Sequence, residues 1–319
     1  MRSNLSDGPV SVADRPLVGI TSLTLGLFLY SVQDVVIRSM AGDYSLLQIM
    51  AIRSLVTLLL MSLILYRVVG WSGFKPSRAG TMLLRGFMGF SAYIAYYLAI
   101  VIMPLAEAVA IVFTAPIFVT IFSAWLFGEK VGLRRWSAVT LGFLAVLIML
   151  GPQGDFFRLA SGLAFVAAIC YAAMILLTGF LKQQNATLSI AFYSAVAFAL
   201  GSVLANLLVM ALPVIESDNA TVQFLVRDWR APSAQDLCVL IGLGVLATFS
   251  QFLLVKAYST APMSAVAPFE YTYIIWAVLF GYWLWDELPE VWTWLGMLLL
   301  VACNLYILYR EQRLAHNGP

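Results

Sequence analysis

Residues Pro104–Glu129 read PLAEAVAIVFTAPIFVTIFSAWLFGE, and residues Pro262–Glu287 read PMSAVAPFEYTYIIWAVLFGYWLWDE. The two stretches align without a gap, 104 opposite 262 and 129 opposite 287, an offset of 158. In that register Val109 meets Ala267, Thr114 meets Thr272, Phe122 meets Phe280, Trp125 meets Trp283 and Leu126 meets Leu284. Beyond the glutamates, Trp136 still meets Trp294. A repeat sets the whole architecture, so it outranks local detail. In an apolar chain it is a mark that many transporters carry.

The chain is apolar enough for that reading. Hydrophobic residues make up 62% of it and charged residues 11%, against about 45–50% and about 25% in ordinary globular proteins. Apolar runs of about 20 residues recur, each able to cross a hydrocarbon core of roughly 30 Å. Ten spans are predicted, at 17–38, 45–66, 81–102, 104–127, 136–151, 159–181, 187–212, 235–258, 262–285 and 292–310. The expected fold is an all-α polytopic membrane protein of ten transmembrane helices. Residues 1–16 and 311–319 form polar tails. The first tail lacks the apolar core and small-residue cleavage site of a signal peptide, so the first span is expected to stay.

Charge placement gives the spans a direction. With the N-terminus cytoplasmic, thirteen cations fall inside and four outside (Arg38, Arg158, Arg227 and Arg230), with Arg53 within the second span. Both termini are therefore predicted at the cytoplasmic face of a bacterial inner membrane. Each half, 17–151 and 159–310, then holds five spans, and an odd number turns the second half upside down. The loops agree: KVGLRRW follows Glu129 and is basic, whereas LPEVW follows Glu287 without a cation. Similar helices with opposite loop charge indicate two inverted-topology five-helix repeats around a central cavity. The long loop of about 213–236 contains Asn219-Ala220-Thr221, an N-glycosylation pattern only in a eukaryotic secretory setting.

Several chemistries are excluded or disfavoured. Cys170, Cys238 and Cys303 are far apart and the single histidine, His316, lies in the tail. No metal site, cofactor site, His-based triad or zinc motif is expected. Neither enzyme function nor a nucleic-acid partner is expected. The expected partners are a small molecule and the lipid bilayer.

The pattern AIVIMPLAEAVAIVFTAPIFVTIFSAWLFGE, followed by the Gly-bearing LGFLAVLIMLG, resembles the EamA repeat of the drug/metabolite transporter superfamily. The stretch APFEYTYIIWAVLFGYWLWDELP is similar to the second-half motif, and Arg53 stands where that repeat often has an arginine. The resemblance covers about residues 17–310. It implies two inverted repeats, a central cavity lined mainly by helices one, three, four, six, eight and nine, and alternating access. Among its branches, the aromatic, sparsely charged spans look most like exporters of aromatic and neutral amino acids.

Ionisable side chains inside a bilayer cost at least roughly 2.5–3.5 kcal/mol each at its centre, so each is a functional hypothesis with a partner to name. Asp34 and Arg53 lie about one helical turn apart in depth and are expected to pair, as a structural bridge or as a gate. Glu270 and Lys256 form a second expected pair, with Lys256 alternatively reaching to the interface. Glu107 is a candidate for gating or coupling and alternatively an interfacial cap. Glu129 and Glu287 read as structural helix ends. Tyr30, Gln33, Tyr93, Tyr97, Tyr171, Glu270, Tyr273 and Trp276 are the candidate cavity wall; Tyr93 and Tyr97 share a face at i, i+4 spacing. Such a wall would hold a flat apolar body and offer hydroxyls to its polar end. Pro116 and Pro268 are expected to bend spans four and nine.

The function expected from the sequence is export of small neutral metabolites, aromatic and other neutral amino acids first. Two rivals remain: an exporter of lipophilic cations held at Glu270 by charge and cation–π attraction, and a non-transporting scaffold or receptor.

Overall fold

Among the described residues every regular element is a helix. The computed structural model describes residues 16–127, 133–149, 159–182, 185–211, 219–261 and 266–316. The N-terminal tail, Glu129 with the basic loop start 130–132, the link 150–158 and the residues 262–265 lie outside the described set. The helices are α1 (Pro16–Met40), α2 (Leu46–Val68), α3 (Ala79–Ile100), α4 (Leu105–Val112), α5 (Ala115–Phe127), α6 (Leu133–Met149) and α7 (Leu159–Lys182). They continue as α8 (Thr187–Ala211), α9 (Ala220–Val226), α10 (Ala234–Thr260), α11 (Thr272–Trp285) and α12 (Val291–His316). Short 3₁₀ turns cover Trp71–Phe74 and Ala267–Tyr271.

Seven segments are long and apolar enough to cross a membrane, with α4 and α5 counted together as Leu105–Trp125. Ten were expected. The described apolar stretches of α6 and α12 are shorter, Val139–Met149 and Val291–Cys303, and α11 has 14 residues because its approach is a 3₁₀ turn.

Polar side chains start several of these helices. Ser45 Oγ accepts the Gln48 N–H at 3.1 Å ahead of α2, and Ser233 Oγ accepts the Asp236 N–H at 3.1 Å ahead of α10. Asn219 Oδ1 does the same for Thr221 at 2.9 Å, nucleating α9 inside the expected long loop. Each bond satisfies a donor that a helix start leaves without an intrahelical partner.

The two copies of the repeated stretch break at the same register. Pro116 has no N–H for the Val112 carbonyl and its ring crowds that group. The first copy accordingly stops at Val112 and restarts at Ala115. Thr114 Oγ1 closes the gap by donating to the Ile111 carbonyl at 2.6 Å. In the second copy the 3₁₀ turn gives way to α11 at Thr272, whose Oγ1 donates to the Phe269 carbonyl at 2.7 Å. Residues 111 and 269, like 114 and 272, are repeat partners.

Small residues let the helices close on one another. α3 lies along α7 and α8, α1 along α10, α2 between α8 and α10, and α6 along α12. A Cβ on Gly86 of α3 would stand 2.4 Å from Ala197 Cβ and 3.2 Å from Ser194 Cα on α8. In lipid, where apolar side chains gain little by leaving the solvent, such close backbone approach supplies much of the attraction between helices. Gly86→Val is therefore expected to destabilise the protein by about 1–3 kcal/mol. The check is a lowered midpoint of thermal unfolding in detergent; an unchanged midpoint would show that α8 yields freely.

Candidate functional site

The centre of the site is one carboxylate held by three phenols. Asp34, buried on α1, accepts hydrogen bonds from Tyr96 at 2.9 Å, Tyr97 at 3.2 Å and Tyr273. Tyr96 and Tyr97 come from α3 and Tyr273 from α11, so the carboxylate ties three helices together. An ionised carboxylate offers about four lone-pair directions, and tyrosines satisfy most of them. This corrects the expected direct bridge between Asp34 and Arg53, which is absent among the described contacts.

Arg53 sits nearby, 6% exposed, with its guanidinium 5.3 Å from the centre of the Tyr93 ring. Its Nη1 lies 3.7 Å from the sulfur of Met50. It makes no described bond to a carboxylate, although Asp34, Tyr30, Tyr93 and Tyr97 are within electrostatic reach. The α2 backbone beneath it is pressed against α10, where a Cβ on Gly244 would stand 2.8 Å from the Arg53 carbonyl. Arg53 is thus a buried planar cation on a closely packed stretch of backbone, with no described bond to a carboxylate.

A second polar region adjoins the first. Tyr30 lies within electrostatic reach of Tyr93, Arg53 and Tyr171, and Tyr171 within reach of Glu270, Tyr93 and Arg85. Glu270 accepts a bond from Tyr258 at 2.6 Å. Arg85 donates to Thr178 Oγ1 at 3.0 Å and to Ser194 Oγ. The two regions together hold Asp34, Glu270, Arg53 and Arg85 among tyrosines, with no net formal charge when all four are ionised.

Among the described residues three buried polar side-chain atoms have no partner: Gln33 Oε1, Ser31 Oγ and Trp276 Nε1. Gln33 spends its amide N–H groups on Ser250 Oγ at 3.1 Å and the Leu29 carbonyl at 3.4 Å, which leaves the acceptor free. Trp276 packs edge-on against Phe28, with ring centres 5.0 Å apart. Buried polar atoms without partners are uncommon and each calls for an explanation.

Of the residues expected from the sequence, Tyr30, Tyr93, Tyr97, Tyr171, Tyr273, Asp34, Arg53 and Glu270 come together. Gln33 flanks them on α1 and Trp276 on α11. Glu107 lies elsewhere: Thr293 Oγ1 stands 3.4 Å from its carboxylate and 3.3 Å from the Met149 carbonyl, a junction of α4, α6 and α12. Lys256 is exposed on α10, the helix whose Tyr258 reaches Glu270. Tyr96, Tyr258, Thr178 and Ser194 join the site without being among the residues expected there. Tyr96 is within reach of sequence reasoning, since it neighbours Tyr97, and Tyr258 stands two residues from Lys256.

Comparison with known proteins follows the same lines. The EamA-like transporter family matches residues 17–151 and 158–309. The S-adenosylmethionine uptake transporter of Rickettsia prowazekii is 26% identical over 93% of this chain and 94% of its own. The pseudopaline exporter CntI of Pseudomonas aeruginosa is 26% identical over 92% and 96%. The riboflavin transporter of Vibrio cholerae is 30% identical over 66% and 64%. A solved structure 15% identical in sequence superposes with a TM-score of 0.58, over 92% of this chain and 97% of that one.

Proposed function

Because this chain belongs to the EamA-like transporter family, we propose that it carries small zwitterions that join an α-aminocarboxylate to a flat or apolar body. Aromatic and other neutral amino acids are the first candidates. The observation that carries the proposal is Arg53, a buried guanidinium 5.3 Å from the centre of the Tyr93 ring and without a described bond to a carboxylate. A planar guanidinium matches a carboxylate through two parallel bonds. Asp34, in its ring of phenols, is the partner for the ammonium end, and Tyr30, Tyr93, Tyr97 and Trp276 face the ring.

The relatives fit this class unevenly. S-adenosylmethionine unites an α-aminocarboxylate, a cation and a flat base, whereas riboflavin shares only the flat ring system. The chain is proposed to work as two inverted five-helix repeats, 17–151 and 159–310, rocking about this site. Both termini are cytoplasmic in this reading, with the 40–45 turn and residues 285–290 outside, as the cation bias indicates. Direction then follows the gradient of the solute, with export expected for amino acids made inside the cell. A carrier of lipophilic cations is disfavoured by Arg53, a buried positive group with no carboxylate bound to it that such a solute would have to approach.

The test is uptake into proteoliposomes of tryptophan, phenylalanine, threonine, methionine, S-adenosylmethionine, riboflavin and a quaternary ammonium dye, with and without a pH gradient. Saturable uptake of the aminocarboxylates, inhibited by one another, is the expected result. Uptake of the dye alone would reject the proposal in favour of a cation carrier centred on Glu270.

A further inference from the structure

Four residues above Asp34 on the same face of α1, Arg38 makes a two-pronged bridge to Glu287. Nη1 lies 2.6 Å from Oε2 and Nη2 lies 2.6 Å from Oε1. The guanidinium also covers Trp285, 4.3 Å from the ring centre. The Arg38 side chain is 10% exposed and that of Glu287 23%. The bridge is built rather than incidental. α11 ends on Asp286 at φ 54°, a left-handed residue that turns the chain, and the Glu287 N–H bonds back to the Gly281 carbonyl at 3.1 Å. Asp accepts this conformation more readily than most residues. Asp34–Tyr273 and Arg38–Glu287 therefore join α1 to the segment containing α11 at two levels.

The same end of the bundle is closed by a strap of second-half residues. Thr221 Oγ1 donates to the Leu98 carbonyl at 3.3 Å and Phe224 is buried. Arg230 pairs with Asp43 at 3.0 Å, and Arg227 donates to the Gly42 carbonyl. Tyr44 donates to Asp236 at 2.7 Å, and this bond, ahead of burial, holds the phenol above its ordinary pKa range.

We propose that Arg38 and Glu287 are the latch of the outer gate, an ion pair between the two repeats that closes the site to the outside and must part whenever the site opens there. The inference rests on the alternating-access reading but not on the identity of the solute. The Asp34–Tyr273 bond is the lower rung of the same clamp, so any solute group that takes the carboxylate from Tyr273 loosens the joint from within. A two-pronged arginine–carboxylate bridge is strong and geometrically specific, yet near water it can exchange for hydration, as a gate requires.

The experiment uses the full chain with Cys170, Cys238 and Cys303 changed to serine and a reporter at the wholly buried Ser31, written Ser31→Cys. A membrane-impermeant maleimide is applied from either side of the membrane. The reporter should be protected with the latch intact. Glu287→Gln should raise labelling from the outer side about tenfold, and the exchange of Arg38→Glu with Glu287→Arg should restore protection. Labelling that does not rise, or that rises equally from both faces as in a loosened fold, overturns the latch. So does failure of the exchange to restore protection. Because no solute enters the readout, an inactive transport panel would reject the zwitterion reading and leave the latch standing.

Discussion

Arg53→Ala is expected to lower transport efficiency for tryptophan by about 30-fold or more, with most of the loss in apparent affinity. Removing one partner of a buried charged pair costs about 2–5 kcal/mol, and each 1.4 kcal/mol is a factor of ten. The free protein should not share the loss. Arg53 has no described carboxylate to leave stranded, and taking a buried cation out of the bilayer removes a desolvation cost. Arg53→Lys should recover part of the activity, because the charge returns without the planar fork. The sharper readout compares tryptophan with tryptamine as competitors. In the natural protein the carboxylate should confer a clear advantage; in Arg53→Ala that advantage should vanish. If both competitors weaken equally, Arg53 supports the fold and does not hold the substrate.

The repeated stretch is legible in the sequence down to its break. Thr114 and Thr272 pair by register alone, and each closes a helix discontinuity by bonding three residues back. Proline chemistry predicts bends near Pro116 and Pro268, and both copies are interrupted there. The contact between Tyr93 and Tyr97 is legible because i, i+4 spacing fixes which residues share a helix face. The partners of the charged groups are not. Counting depth along two helices pairs Asp34 with Arg53, but depth says nothing about azimuth, and three phenols reach the carboxylate first. Two of those phenols are on α3 and one is on α11, a convergence that only the packing of three helices produces. Helix α9 escapes sequence reading because its 7 residues make barely two turns, too few for an apolar period to stand out from the loop around it.

Glu287 shows the other way in which sequence reading falls short. At the end of a span, with Asp286 and Glu290 close by, it reads only as a structural helix end. Its role follows from the left-handed turn at Asp286 and from Arg38, 249 residues away along the chain. Neither the turn nor the pairing has a local signature that separates it from an ordinary helix terminus.

Asp34→Asn should separate function from stability. The carboxylate receives three phenol bonds, and a hydrogen bond to a charged group contributes about 1.5–3 kcal/mol. Against this stands the cost of keeping an ion out of water, several kcal/mol after relaxation. An amide keeps the shape and one strong acceptor and escapes the ionic cost, so the unfolding midpoint should move by only a few degrees. Transport has no such compensation. An ammonium facing a neutral amide loses its counter-charge, and a loss of about 2 kcal/mol or more corresponds to at least about 30-fold in efficiency. Indole-3-propionate, which lacks the amino group, should compete as well in Asp34→Asn as in the natural protein, while tryptophan should compete poorly. A variant that loses stability and transport together, with both competitors affected alike, would make Asp34 a strut between α1, α3 and α11. The expected outcome makes it the group that senses the amine, and therefore the point at which a bound solute begins to release Tyr273 and the clamp above it.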